Sequence, residues 1–402
     1  MVLVSTIEVS ETRRNALLSF LLVGCLLFPN SAKAGDPIVV PPLGGMTLSP
    51  MITQSGTYNT NPLLLSTGQQ TLIGSVTVPE LVFDDVTPTS ELKSDTSVVE
   101  NVFNHSTFDS TDLHSSDTIT TKNERWSLGA TGKIDYDTTR TSEVSTFNIR
   151  SVPVRHLGLD AAPQVSYNFL PTDKLGLNGD IQTSHYATSA FTNYETYSLT
   201  PSYTHDIDPL NSAVFQLQTQ RYQATRGPTN INETVGPTVG WLGKLTPRLS
   251  ITANVGVEFI KQIQDNAPQT SWTPEYVFNA DVAFKGEQDK VDLVASRSEY
   301  PFGNGTEALL STFSLADKHA LNEKFSLNTS GSYESGTYQT SATGNLKAIT
   351  TLDGGLAYHV TEHLDVAGTY QYRYETLVNV TKSIDDHSVN FGLVYHPQAW
   401  GL

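Results

Sequence analysis

The chain has a single cysteine among 402 residues, and it stands at position 25, inside the one continuous apolar run. Everything after that run is free of thiols, which excludes a disulfide framework, a thiolate metal site and a cysteine nucleophile. Basic residues are also scarce: 24 Lys and Arg stand against 41 Asp and Glu, a formal charge of −17. Such a balance excludes nucleic acid as a partner, because phosphates must be neutralised by Lys and Arg. Long hydrophobic stretches are the third thing missing. Hydrophobic residues make up 38% of the chain and mean hydropathy is −0.23, so a bundle of membrane-spanning helices is excluded.

The apolar run itself is short. Arg13 and Arg14 precede it, Ala16 to Phe28 form it, and Ala32-Lys33-Ala34 follows as an A-x-A cleavage signal. At about thirteen residues it falls short of the roughly twenty that a spanning helix needs. Residues 1–34 therefore read as an export signal, with the mature chain beginning at Gly35. Leu22-Val23-Gly24-Cys25 also resembles a lipobox, in which Cys25 is lipidated. Leu26, Leu27 and Phe28 carry the apolar stretch past it to the standard site, which favours cleavage after Ala34. Loss of 1–34 removes three basic and two acidic residues and moves the charge from −17 to −18. Residues 35–45, with Pro37, Pro41, Pro42, Gly44 and Gly45, read as a flexible periplasmic lead-in.

What the chain has in abundance is alternation with a period of two. Leu249, Ile251, Ala253, Val255, Val257 and Phe259 share one face, with Ser250, Thr252, Asn254, Gly256 and Glu258 on the other. Leu364, Val366, Tyr370, Tyr372 and Tyr374 repeat the pattern opposite Asp365, Thr369, Gln371 and Arg373. So do Leu175, Leu177 and Ile181, then Phe325, Leu327 and Tyr333, then Val389, Phe391, Leu393 and Tyr395. No helical pattern of similar length interrupts the series. The class is all-β.

Short polar turns punctuate these strands at a regular interval. They begin at Pro171, Asp208, Leu245, Glu287, Leu321 and Val360, which lie 37, 37, 42, 34 and 39 positions apart. Looser polar segments fall between them, among them 224–232, 263–270 and 376–385. One tight turn, one long loop and two strands per repeat describe an up-and-down meander, the layout of outer-membrane barrels. A propeller blade of the same period needs four short strands instead.

Candidate strands run about thirteen residues, closer to the roughly 9–11 of a tilted membrane strand than to the 5–6 of soluble proteins. Tyr186, Tyr222, Phe259, Tyr300, Tyr333 and Tyr374 fall near strand ends, in the manner of an interfacial aromatic girdle. Residues 46–54, 71–84 and 92–103 add strands on the N-terminal side. The expected architecture is a transmembrane antiparallel up-and-down β-barrel over residues 46–402, with about sixteen strands in a range of roughly 14–18. Residues 104–123, rich in Ser, Thr and Asp, fit either a long loop or a weakly patterned hairpin.

In such a barrel the polar face looks inward, because an Arg or Lys on the lipid face at mid-depth costs roughly 2–4 kcal/mol. That places Asp180, Gln182, Gln216, Gln218, Arg248, Glu258, Asp292, Asp365, Arg373 and Glu375 on the lumen wall. Arg373 and Glu375, two apart on one face, are a candidate ion pair. The pattern leaves open whether these residues line a pore or fill a plugged interior.

Catalytic motifs are missing: there is no G-x-S-x-G, no H-E-x-x-H and no phosphate-binding glycine loop. Ser184-His185, Asp317-Lys318-His319 and Asp385-Asp386-His387 crowd functional groups together, but neighbours on a strand point to opposite faces. His105 and His114, among Asp109, Asp112 and Asp117, are better explained by a solvated loop than by a metal. The chain thus reads as a protein that is not an enzyme and uses no cofactor or metal. A barrel hydrolase would need Ser, His and a polar orienter brought together across strands on one wall.

Several short segments carry a family likeness. They are Tyr58-Asn59-Thr60-Asn61-Pro62, Asp135-Tyr136-Asp137-Thr138-Thr139-Arg140-Thr141-Ser142-Glu143 and Pro163-Gln164-Val165-Ser166-Tyr167. Tyr370-Gln371-Tyr372-Arg373-Tyr374 and Asp386-His387-Ser388-Val389-Asn390 add to them. In these, and in layout from Thr47 onward, the chain resembles the β-barrel porin 2 family of uncharacterised Gram-negative outer-membrane proteins, some of which accompany exopolysaccharide gene clusters. The final Trp400-Gly401-Leu402 departs from the terminal aromatic residue of many outer-membrane proteins. The resemblance implies an integral barrel of the cell outer membrane, in contact with its lipid, and brings no binding or catalytic residues with it. The expected function is a porin-like channel for small polar solutes, or a part in exopolysaccharide export. The alternative is a closed structural or adhesive barrel with acidic binding loops. Solute and oligomeric state are not written in the sequence.

Overall fold

The computed structural model describes residues 45–142, 153–189, 191–225, 230–264, 271–301, 307–338, 346–377 and 383–401. The expected export signal and all of the lead-in except Gly45 lie outside them. Strands β1 (Met46–Asn59), β2 (Leu72–Val86), β3 (Ser90–Phe103), β4 (Ser110–Lys122), β5 (Trp126–Thr138) and β6 (Arg155–Leu170) come first. They are followed by β7 (Asp173–Tyr186), β8 (Tyr194–Asp208), β9 (Asn211–Ala224), β10 (Asn230–Thr246), β11 (Leu249–Gln264) and β12 (Thr273–Lys285). The series ends with β13 (Asp289–Pro301), β14 (Glu307–Ala320), β15 (Phe325–Tyr338), β16 (Leu346–Thr361), β17 (Leu364–Leu377), β18 (Ile384–Tyr395) and the two-residue β19 (Trp400–Gly401).

Each long strand pairs antiparallel with its sequence neighbours. The last of them, β18, returns to β1 from Ile52↔Tyr395 to Asn59↔Ser388, and β19 prolongs that line with Leu48↔Trp400. The result is a closed barrel of eighteen long strands, at the upper end of the expected range. Closure removes the free edges that an open sheet exposes to aggregation.

Local chemistry explains the turns. All six turns anticipated from the sequence lie on one rim, the rim at which β1 starts and β18 ends. In the β8–β9 turn the Asp208 carboxylate accepts the Leu210 N–H at 2.7 Å. In the β14–β15 turn Asn322 accepts from Lys324 and Phe325 at 2.8 and 3.0 Å. Such Asx bonds replace the ladder partners lost where the chain reverses. Residues 104–123 resolve as a hairpin: a 3₁₀ turn at Ser106–Phe108 leads directly into β4.

The two faces of the wall separate as alternation predicts. Val255 and Val257 of β11 stand across from Phe278 and Tyr276 of β12, and all four are exposed on the outer surface. Leu159, Leu177, Leu199, Phe215, Leu352 and Leu393 are exposed on the same side of their strands. So much exposed apolar surface in register is a belt suited to hydrocarbon rather than water. Ring pairs mark its turn-side margin, with Trp126 and Tyr167 centroids 4.4 Å apart and Phe325 and Tyr358 4.6 Å apart.

Phe259, Tyr333 and Tyr374 lie on this outer face. Tyr186 and Tyr222 correct the expected girdle. They take the opposite parity to Leu177 of β7 and Phe215 of β9, point inward, and are buried with Phe191, Tyr194 and Ala224.

Candidate functional site

Cross-strand register sets the residues expected on the inner wall. Asp180, Gln182, Gln216, Gln218, Glu258, Asp292, Asp365, Arg373 and Glu375 all fall on the face opposite the apolar belt. Arg248 does not. It sits in the turn before β11, and its guanidinium meets Glu287 of the neighbouring turn at 2.7 Å. Arg373 takes Asp386 of β18 as its ion-pair partner, at 2.7 Å. The two are directly opposed in the ladder, and opposed positions lie closer than residues two apart along a strand.

Two recesses open on this wall. One of about 430 Å3 is lined by Ser127, Gln164, Asn178, Ser202, Thr204, Gln216 and Asn254, with Lys174 its only charged residue among the described residues. The other, about 450 Å3, includes Lys290, Asp292, Lys318, Asp353 and Gln371. Amides and hydroxyls on the first side thus give way to interleaved charges on the second.

At the long-loop end two segments are fastened across the inner wall. The first is the β1–β2 loop. Asp386, fully buried, accepts from Asn59 Nδ2 at 3.1 Å, Thr60 Oγ1 at 3.2 Å and the Asn61 N–H at 2.8 Å. Arg373 adds Nε at 3.1 Å and Nη2 at 2.7 Å, and also donates to the Pro62 carbonyl. Asn61 then closes the loop on itself by exchanging hydrogen bonds with Leu65. The anchor holds Leu64 at φ 50°, a left-handed conformation, with its side chain buried.

The second is the end of the β13–β14–β15 group. Pairing between β12 and β13 stops at Phe278↔Arg297, and pairing between β15 and β16 stops at Glu334↔Ile349. Beyond these points β13 and β14 stay paired with each other. Their ends lean into the lumen as a flap. Glu307 at the start of β14 accepts from Gln220 of β9 at 3.1 Å and Asn232 of β10 at 2.7 Å. Glu299 of β13 accepts from the Thr234 hydroxyl of β10. These bonds reach past β11 and β12, so the flap covers their inner faces and buries Glu258, Ile260 and Val277. Arg297 sits at the bend, 3.6 Å from Glu275, with its guanidinium over the Tyr276 ring at 4.6 Å. Tyr300 belongs to the flap rather than to a girdle.

Sequence reading had not assembled either fastening, although one signal pointed to the flap. Arg297, Glu299 and Glu307 occupy the parity that Val291, Leu293, Phe313 and Leu315 use for the belt. Charges on the belt parity show that a strand end has left the wall.

The crowded polar triplets separate as expected. Lys318 and Asp386 face inward, while His185, Asp317, His319 and His387 face outward. His319 meets Asp289 at 2.5 Å, and His114 meets Asp135 at 2.7 Å. Among the described residues no group of three or more His, Cys, Asp or Glu is placed to hold a metal ion.

No family model matches the chain, and no curated protein matches it. Several solved barrels are similar in outline. OccK11 (OpdR) of Pseudomonas aeruginosa shares 10% identity over 88% of this chain and 96% of its own, with a TM-score of 0.44. OpdO of the same organism shares 10% over 89% and 98%, with a TM-score of 0.46. The outer membrane channel DcaP of Acinetobacter baumannii shares 13% over 88% and 97%, with a TM-score of 0.43.

Proposed function

We propose that the chain is an outer-membrane channel for small polar solutes, exported by its N-terminal segment and narrowed at the long-loop end by the flap. The observation that carries this reading is the union of an apolar outer belt with a hydrophilic inner wall whose recesses are lined by amides, hydroxyls and mixed charges. Hydrocarbon outside and water inside is the arrangement in which both faces are solvated at least cost. Passage along such a wall is passive and needs no catalytic residue or cofactor.

The acidic balance of the chain favours cations over anions within the lumen. The flap bears on a second reading, a closed structural barrel, because it fills part of the mouth. Reconstitution in planar bilayers separates the two. Discrete conductance steps with cation selectivity, together with swelling of liposomes in small neutral solutes, are expected of a channel. A purified, folded barrel that gives neither is a closed one.

A further inference from the structure

Three side chains on the inner wall of neighbouring strands meet in an order that solute passage leaves unused. His156 of β6 places Nδ1 3.0 Å from Asp137 Oδ1 on β5, and Nε2 3.3 Å from Ser184 Oγ on β7. Asp137 stands directly across from His156, whereas Ser184 stands across from Gly158. The imidazole therefore lies over position 158 to reach the serine. Glycine permits this, since a Cβ at 158 already comes within 3.1 Å of His156 Cε1. With Asp137 accepting the Nδ1 proton, Nε2 is left bare to take the proton of Ser184. These are the positions of orienter, base and nucleophile.

The surroundings differ from the hydrated wall below. Ser184, His156 and Asp137 are 2%, 7% and 3% exposed. The Tyr186 ring packs 4.9 Å from the imidazole, beside Phe191, Tyr194 and Tyr222. Thr196 and Tyr222, on the inner faces of β8 and β9, each bury a hydroxyl with no hydrogen-bond partner among the described residues. Thr196 stands two residues from Tyr194, the residue across from Ser184, and is itself across from Tyr222. Both hydroxyls lie on the same inner face as the serine.

We propose that Ser184, His156 and Asp137 form an acyl-transfer site that cleaves esters with an apolar acyl group. Ser184 Oγ bonds to the ester carbonyl carbon as its proton passes to His156 Nε2. The bond from that carbon to the alcohol oxygen breaks, and the alcohol leaves with the proton. Water then attacks the acyl carbon, losing a proton to the same nitrogen. The carboxylic acid departs as Ser184 recovers its proton. The site is independent of the channel reading, and either can fail without the other.

The test uses the full chain folded in detergent micelles, with a small fluorophosphonate as the probe because the serine is nearly buried. The expected result is a single adduct that mass spectrometry maps to Ser184 in the unaltered protein. Hydrolysis of p-nitrophenyl butyrate is expected to fall at least ~100-fold in Ser184→Ala and His156→Gln. Asp137→Asn keeps the shape but favours the wrong tautomer, so it slows labelling and moves its pH profile. Heat-modifiable migration reports folding of each variant. Absence of an adduct on Ser184, or ester hydrolysis that survives Ser184→Ala, overturns the proposal. Loss of melting temperature in that variant without labelling of the parent leaves the three residues a bracing role only.

Discussion

The two segments fastened across the long-loop end are held by opposite kinds of chemistry. The β1–β2 loop closes on one buried carboxylate, Asp386, which meets a guanidinium and three neutral donors. The flap closes on Glu307, which accepts from two amides, and on Glu299, whose contacts include a hydroxyl. A third carboxyl group, Glu258, lies buried beneath the flap. In the loop each added donor lowers the energy of the same charge, and the assembly tolerates the strained φ of Leu64, worth about 1–2 kcal/mol. In the flap the donors are divided between two carboxyl groups. The flap also has somewhere else to go: the 273–277 edge of β12 is paired with β11 at Thr273–Val277 but not with β13. Swinging outward, β13 can extend its ladder along that edge. One fastening is a bolt and the other a catch, which is the property required of a two-state element.

The sharpest break of this comparison is Asp386→Ala. Removing one member of a buried ion pair leaves the other charge uncompensated and costs about 3–5 kcal/mol, here with the loop closure lost as well. Urea titration of the barrel folded in bilayers should show that loss, with Arg373→Ala nearly as severe. A drop below about 1 kcal/mol for both removes the distinction between bolt and catch.

The flap should respond in conductance rather than in stability. Cysteines at 232 and 307, in a chain whose only other cysteine is Cys25, joined by a short bis-maleimide, fix the catch shut. Conductance is expected to fall on cross-linking relative to the unlinked double variant. An unchanged single-channel current indicates that the flap never leaves the wall. Glu307→Gln keeps the shape but only one of the two accepting oxygens, so it loosens the catch. Glu307→Ala removes the catch and opens the flap. We expect open probability to rise about fivefold in Glu307→Ala, equivalent to about 1 kcal/mol, and by less in Glu307→Gln. No shift in either variant would show that Glu307 has no part in holding the flap.

The contrast also explains how much of the molecule was legible in the sequence. Strand faces and turns were, because both are local: Val255 and Val257 declare their face by parity, and Asp208 and Asn322 carry the turn bonds themselves. The fastenings were not, because they depend on which strands the closed barrel brings together. Asp386 and Asn61 are 325 positions apart in sequence, and Gln220 of β9 and Glu307 of β14 meet across four intervening strands. Asp386 stands out in the sequence only as a member of Asp385-Asp386-His387 and of a family-like segment. Tyr186 and Tyr222 were misplaced by their nearness to strand ends, although the parity of their own strands already turned them inward. Arg248 was misplaced by one residue, the step at which alternation gives way to a turn.

The smallest effects should separate the two fastenings most cleanly, because one isosteric change can be made at both. Thr60→Val removes a hydroxyl that donates to Asp386 at 3.2 Å and accepts the His387 N–H at 2.8 Å. Asp386 keeps the Arg373 guanidinium, Asn59 and the Asn61 N–H. The expected cost is therefore that of ordinary hydrogen bonds, about 1 kcal/mol in urea titration, with no change in channel opening. Thr234→Val removes the hydroxyl resolved on Glu299. Its cost should appear as more frequent opening at nearly constant barrel stability, since the wall strands beneath it stay paired. The same methyl-for-hydroxyl exchange thus reads out in denaturant at one anchor and in conductance at the other. If both variants move the same observable, the two anchors share one mechanical role and the division between them is lost.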